Sequence, residues 1–275
     1  MTLTPAPRLP LTDGATIPQL GYGLYKVPAA DARELALSAI DVGYRHLDTA
    51  AFYANEREVG EAVREAPVPR DELFVTTKVW KDDNGYDSTL RAFDDSMTRL
   101  GLERLDLYLI HWPVPSTDRY VDTWRAMIRL QAEGRVRSIG VANFHAHHVE
   151  RLVAETGVTP VINQVELHPW LPQTELRSFH ASRGILTEAW SPLARGRVLD
   201  DPTLARIAAR HGRTPAQVVL RWHVQLGNVV IPKASSPERI RANLDVFGFA
   251  LDADDLAAIA ALETGERTGR DPEFD

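Results

Sequence analysis

The chain has 275 residues, 44% of them hydrophobic and 25% charged, enough apolar material to bury a large core without covalent staples. It contains no cysteine, which excludes disulfides, thiolate catalysis, iron-sulfur clusters and cysteine-ligated zinc. A formal net charge of -7 argues against general affinity for nucleic acid, which needs a basic surface to displace phosphate counterions, but leaves room for a local anion site.

The opening stretch, Met1 to Arg8, lacks the apolar run of a signal peptide, and no segment approaches about 18 uninterrupted apolar residues. A cytoplasmic protein with no membrane partner is therefore expected. Residues 8 to 18 read as a hairpin, because Asp13-Gly14 supplies the positive φ of a tight turn. Beyond it, short runs of Val, Ile and Leu alternate with longer segments that carry apolar residues at helical spacing. Strands are expected near 19 to 22, 45 to 48, 73 to 78, 105 to 111, 136 to 141, 161 to 166, 185 to 190 and 228 to 231. Helices are expected near 31 to 42, 56 to 65, 87 to 100, 119 to 133, 145 to 155, 173 to 182, 202 to 225 with a break at Gly212, and 237 to 246. Asp87 and Thr203 are candidate caps, Ser236-Pro237 marks a helix start, and Gly134 and Gly157 follow helices as C′ residues.

Eight βα units predict an α/β fold, a (β/α)8 TIM barrel forming one domain over residues 1 to 275. The hairpin would plug its lower end. Residues 252 to 262, capped by Asp252, add a C-terminal helix, and 266 to 275 read as a flexible tail. No heptad or extended apolar stripe calls for a partner, so a monomer is expected.

Three apolar runs end on residues that are costly to bury: Asp48, Lys78 and His111. In one parallel barrel those tips share a mouth, and Tyr53 lies five residues beyond Asp48. A lysine ammonium beside a phenol stabilises the phenolate and lowers the phenol's pKa, while Asp48 would keep that ammonium charged. His111 would orient a polar oxygen or pass a proton, according to its tautomer. Such a set donates a proton to an oxygen that is gaining negative charge, which suits carbonyl reduction with hydride from a cofactor. Taken singly, each residue also has a structural explanation as a cap, a snorkelling lysine, a packing ring or a core histidine. Tyr25, Trp80 and Trp112 follow strands one, three and four, as an aromatic wall for a substrate cleft would. His145, His147 and His148 open a polar helix without carboxylates at ligand spacing and read as a solvated helix end, so no metal is expected. His168-Pro169-Trp170 reads as a packing loop near the mouth.

The stretches Gly43-Tyr44-Arg45-His46-Leu47-Asp48-Thr49-Ala50, Leu105-Asp106-Leu107-Tyr108-Leu109-Ile110-His111-Trp112-Pro113 and Ile231-Pro232-Lys233 resemble the signatures of the aldo-keto reductase superfamily. The chain is most similar to the bacterial group that includes 2,5-diketo-D-gluconic acid reductases. That resemblance implies a catalytic tetrad of Asp48, Tyr53, Lys78 and His111, with Tyr53 as general acid. It also implies that Asn143 and Gln164 hold a nicotinamide carboxamide while Trp190 stacks on the ring. Ser191, Leu193 and Arg195 to Arg197 would fold over the pyrophosphate. Lys233, Ser235, Ser236 and Arg239 would bind a remote phosphate at a helix start, favouring NADPH over NADH, and Asn243 matches an adenine-side position. Ala142 stands where relatives commonly carry Ser, so one amide contact is expected to be missing or replaced, and Ala234 and Ala242 stand where they carry Ser and Glu, which weakens the adenine-side match. The expected activity is NADPH-dependent reduction of small aldehydes or ketones, such as keto sugars, α-keto esters or methylglyoxal. The alternative is a nicotinamide-binding redox sensor with little turnover. Metal-dependent hydrolysis is discouraged by the lack of an early His-x-His pair.

Overall fold

The hairpin forms where Asp13-Gly14 predicts it. Strands β1 (Arg8–Pro10) and β2 (Thr16–Pro18) run antiparallel with Leu9 opposite Ile17, and Gly14 takes φ 87 in the turn. In this computed structural model, which describes residues 4–274, eight parallel strands follow. They are β3 (Tyr22–Gly23), β4 (His46–Asp48), β5 (Phe74–Val79), β6 (Leu105–Ile110), β7 (Val136–Ala142), β8 (Ile162–Glu166), β9 (Leu186–Trp190) and β10 (Val229–Val230). Each pairs with the next. A parallel bridge between Leu20 and Val230 closes the ring, with Gly21 N donating to the Val230 carbonyl and Val230 N to the Gln19 carbonyl. β5 and β6 are buried along their whole length, as strands covered on both faces must be.

Helices α1 (Ala29–Val42), α2 (Glu56–Glu65), α3 (Tyr86–Leu100), α4 (Tyr120–Ala132), α5 (Ala146–Thr156) and α6 (Thr174–Ser182) alternate with the strands on the outside. The long pattern from 202 breaks at Gly212, φ 61, into α7 (Pro202–His211) and α8 (Pro215–Gln225). α9 (Pro237–Leu244) and α10 (Ala253–Ala260) complete the chain of helices, and none of the described helices is long and apolar enough to cross a membrane. Ser236, Asp252 and Gly157 cap as expected. Two cap expectations fail. Gly85 rather than Asp87 precedes α3, and Asp201 caps α7 by accepting from Thr203 N, because the chain turns into each helix earlier than the apolar period shows. At Gly60 of α2 an added Cβ would lie 1.9 Å from the Leu100 carbonyl oxygen, so a side chain there would force α2 and α3 apart.

Two apolar cores result. One lies between strands and helices. The other fills the ring's interior, where the hairpin's Leu11 and Ile17 meet Phe74, Leu107, Leu109, Ile162 and Val229 and plug the lower end.

The tail departs from the flexible segment expected of 266 to 275. Thr268 N and Gly269 N both donate to the buried Glu166 carboxylate at the end of β8, and Asp271 and Glu273 reach the histidines that open α5. Asp275 lies outside the described residues. The solvated helix end expected of those histidines is corrected at the same time. Asp271 Oδ1 lies 2.8 Å from His145 Nε2, and Glu273 Oε2 lies 3.2 Å from His147 Nε2 and 3.5 Å from His148 Nε2. Carboxylates more than a hundred residues away in sequence arrive only through the fold. His145 and His148 form a reciprocal capping box in which each side chain accepts a backbone N–H. For His148 the acceptor is Nδ1, so its ring hydrogen sits on Nε2, toward Glu273, and that nitrogen has no lone pair for a metal.

Candidate active site

The strand register sets the site. β4 ends on Asp48, Lys78 is the penultimate residue of β5, and His111 follows β6 directly, so all three reach the C-terminal mouth. The inward parity of β5 places Lys78 in the same column as Thr76, opposite Asp48, and buries it completely. Lys78 Nζ donates to Asp48 Oδ1 at 2.7 Å, to the Thr49 carbonyl at 2.9 Å and to the Tyr53 hydroxyl at 3.4 Å. All three hydrogens of the ammonium are used. Tyr53 is carried on a single 3-10 turn, Ala51–Tyr53, which ends on Ala54 at φ 54. Asn55 fixes that turn: its Oδ1 accepts from Thr49 Oγ1 at 2.6 Å, and its Nδ2 donates to the Leu24 and Val27 carbonyls.

The electrostatics revise one expectation. Burial first, then the charge of Asp48, pushes the Tyr53 phenol well above its ordinary value, so Lys78 does not bring it below that value in this state. Desolvation of the phenolate outweighs the single ammonium, which Asp48 already neutralises. The phenol therefore keeps its proton until negative charge appears on a nearby oxygen. Burial, followed by Lys78, drives His111 well below the usual histidine range, leaving a neutral ring whose Nδ1 has no partner.

Aromatic rings surround the phenol. Tyr25 lies 5.1 Å from Tyr53 and His111 5.8 Å, centroid to centroid, and Trp80 stands edge-on to His111 at 5.1 Å. Phe52 stacks on Trp80 at 3.9 Å and extends the wall outward. Trp112 is half-buried beside His111, and its carbonyl accepts from Asn84. Its ring makes no stacking contact with this group among the described residues.

A second set of polar groups lies across the mouth. Trp190 Nε1 donates to Asn143 Oδ1 at 2.8 Å, and Asn143 Nδ2 donates to the His111 carbonyl at 2.9 Å. Gln164 Nε2 donates to Asp48 Oδ2 at 2.8 Å and to Glu188 Oε2 at 2.9 Å. These residues thus link Asp48 and His111 to groups on β8 and β9 and just after β7. Gly269 of the tail backs it: a Cβ there would lie 2.6 Å from Trp190 Cη2 and 3.1 Å from Glu166 Oε2.

The outer groups are arranged for an anion. Ser191, Ala194, Arg195 and Gly196 all take positive φ, of 47, 47, 57 and 89, and Leu193 lies between them, a backbone pattern whose amides can converge on phosphate oxygens. Further along, the Tyr22 hydroxyl donates to the Ala234 carbonyl and ties the 233 to 236 loop to the barrel. Lys233 Nζ donates to Ser235 Oγ, Ser236 caps α9, and Arg239 is exposed one turn into that helix. Asn243 is buried on the same helix. Glu238 lies at this helix start too, its carboxylate held low in pKa by its own backbone and by Ser236. Donors, cations and a turned loop in this order suit a long dinucleotide phosphate ligand.

The sequence reading missed Phe52, Asn55, Glu166 and Glu188. A signal existed for the two glutamates, since each is an acid within an apolar strand at the inward parity of Gln164 and Trp190.

Comparison with known proteins agrees with this geometry. Residues 18–264 match the Aldo/keto reductase family model. An aldo-keto reductase of Mycolicibacterium smegmatis is 55% identical over 267 residues, 97% of each chain. Methylglyoxal reductase DkgA of Escherichia coli is 50% identical over 265 residues, 96% of each chain. A solved structure of a Gox0644 mutant in complex with NADPH is 48% identical, covers 99% of each chain and superimposes with a TM-score of 0.95.

Proposed function

The chain belongs to the aldo/keto reductase family, and from that premise we propose that it reduces small carbonyl compounds with Tyr53 as general acid. It is an NADP-dependent oxidoreductase. Bound NADPH supplies the hydride that reaches the carbonyl carbon. The chain's own residues manage the oxygen. His111, neutral and buried, gives one ring N–H to the carbonyl oxygen and holds it near the phenol. Tyr53 releases its hydroxyl proton as the oxygen becomes an alkoxide. Lys78, 3.4 Å away, stabilises the phenolate left behind, and Asp48 keeps the ammonium in place. The observation that carries this reading is Lys78 Nζ bonded to both Asp48 and the Tyr53 hydroxyl inside a site with no exposed charge.

Asn143 and Gln164 would hold the carboxamide and Trp190 the ring face. Ser191 and Leu193 would lie over the pyrophosphate. Lys233, Ser235, Ser236 and Arg239 would take the 2′-phosphate and set a preference for NADPH over NADH, with Asn243 near the adenine. Tyr25, Phe52 and Trp80 form an apolar wall beside polar donors, which suits a compact substrate carrying two adjacent oxygens: methylglyoxal, an α-keto ester or a keto sugar such as 2,5-diketo-D-gluconate. The test is Tyr53→Phe. It should bind NADPH with wild-type affinity and lose at least about a hundredfold in kcat over a panel of aldehydes, diketones and keto sugars. Wild-type turnover by this variant would remove Tyr53 as the acid.

A further inference from the structure

One buried carboxylate has no part in the reaction as described. Glu188 projects from β9 into the ring and is 0% exposed. Its Oε2 accepts one hydrogen of Gln164 Nε2 while Asp48 Oδ2 accepts the other. Its Oε1 has no hydrogen-bond partner and lies 3.9 Å from His46 Nε2, which is bonded to Thr76 Oγ1. Burial pushes His46 down to about 3, so no charged base opposes Glu188 from that side.

We propose that Glu188 is a positioning residue for carbonyl reduction: together with Asp48 it grips both hydrogens of the Gln164 amide, turning the amide oxygen toward the cofactor. The inference rests on the reading of Gln164 as a carboxamide ligand. An amide is nearly symmetric in shape, and only its partners decide which end faces which way. A flipped Gln164 would set its oxygen against the Asp48 carboxylate and against Glu188 Oε2, the acceptor oxygen of the acid, and leave both without a donor. With only Asp48 present the flip costs roughly half as many bonds. Glu188 therefore fixes the end that meets the carboxamide N–H, and it ties that choice to the same aspartate that anchors Lys78.

The proton on Glu188 is part of the arrangement. The groups facing it are Asp48 and His46 from β4, Lys78 from β5, Gln164 from β8 and, beyond Asp48, Tyr53. Burial first and Asp48 next raise its pKa to about 8, which favours the neutral acid beside the Asp48–Lys78 pair. Its ionisation in alkali would place a second negative charge within 4.8 Å of an Asp48 oxygen and oppose formation of the Tyr53 phenolate. Reduction is then expected to show an alkaline limb that belongs to Glu188.

Three variants test this. Glu188→Gln keeps a carbonyl acceptor for Gln164 and cannot ionise, so NADPH affinity should stay within about twofold of wild type, while the wild-type fall in kcat, about tenfold per pH unit beyond its midpoint, should vanish or move to higher pH. Glu188→Met keeps the volume but removes the acceptor, and should weaken NADPH binding about fivefold, as for one lost hydrogen bond. Gln164→Ala is the control. Wild-type affinity in Glu188→Met beside a weakened Gln164→Ala would overturn the inference alone, as would an unmoved alkaline limb in Glu188→Gln. If Gln164→Ala binds NADPH as tightly as wild type, the carboxamide reading fails and takes the inference with it. The pH arm stands on Glu188→Gln even if Glu188→Met does not fold.

Discussion

Replacing Lys78 by Met should cost both stability and rate, and the structure separates the two losses. Lys78 and Asp48 form a buried pair at 2.7 Å, so removing the ammonium leaves Asp48 as a carboxylate without a cation in the ring. Breaking such a pair from one side typically costs about 3 to 5 kcal/mol, a fall of roughly 10 °C in Tm for a chain of this size. The rate effect follows from the 3.4 Å between Nζ and the Tyr53 oxygen. At an effective dielectric of about 20 that distance corresponds to ~5 kcal/mol of phenolate stabilisation, between three and four powers of ten in the chemical step. The decisive comparison is the double variant Asp48→Asn/Lys78→Met, which removes both charges. Urea unfolding followed by tryptophan fluorescence should show most of the lost stability restored, since a neutral pair of similar volume is tolerated where a lone charge is not. Single-turnover NADPH oxidation should remain as slow as in Lys78→Met. A double variant as unstable as the sum of its parts would refute the ion-pair account, and wild-type single-turnover rates in Lys78→Met would refute the phenolate account.

Other consequences can be checked directly. Arg239→Ala should raise the NADPH dissociation constant about 10- to 100-fold by fluorescence titration, the loss of a charge-assisted bond worth ~1.5 to 3 kcal/mol, and change NADH binding less than about twofold. Equal effects on both cofactors would remove Arg239 from the phosphate site. Gly269→Val forces a side chain into Trp190 and should lower kcat/KM several-fold with the circular dichroism spectrum preserved, an overpacking cost of about 1 to 3 kcal/mol. Unchanged kinetics would mean that the tail does not support the Trp190 ring. Burial holds His46 and His223 down at about 3 and His180 at about 4. Folded values below the unfolded ~6.5 mean that their contribution is complete above that pH and is lost as pH falls toward 3 to 4. At pH 5 each should already cost about 2 kcal/mol, so a urea midpoint equal at pH 5 and pH 7 would contradict their buried, uncharged state.

What could be read in the residues alone follows from how each signal travels along the chain. The eight strands and the breaks between helices were legible because period, Gly and Pro act locally, and Gly212 stops a helix wherever it lies. Asp48, Lys78 and His111 were legible for a related reason: a polar residue closing an apolar run stands out against its neighbours, and a parallel barrel gathers strand ends at one mouth. The direction of the Tyr53 shift was not legible. It depends on how far the phenol is desolvated against how fully Asp48 cancels Lys78, and both are properties of packing.

The tail shows the same limit more sharply. Residues 266 to 274 carry no apolar period, and their polar composition reads as a loose end. Their anchors are polar groups waiting at distant positions: Glu166, which stays ionised although buried because Thr268, Gly269 and His168 donate to it, and His145 and His148, whose mutual capping leaves their Nε2 edges available to Asp271 and Glu273. No spacing rule links residue 166 to residue 268. The link is nevertheless specific, because a buried carboxylate without donors would be costly, and the only way for Glu166 to lie at the inward tip of β8 is for something to bring N–H groups to it. An unsatisfied acid at a strand tip is therefore a sequence-level signal for a returning segment, and in this chain that segment passes against the indole of Trp190 at Gly269 before it reaches the α5 histidines.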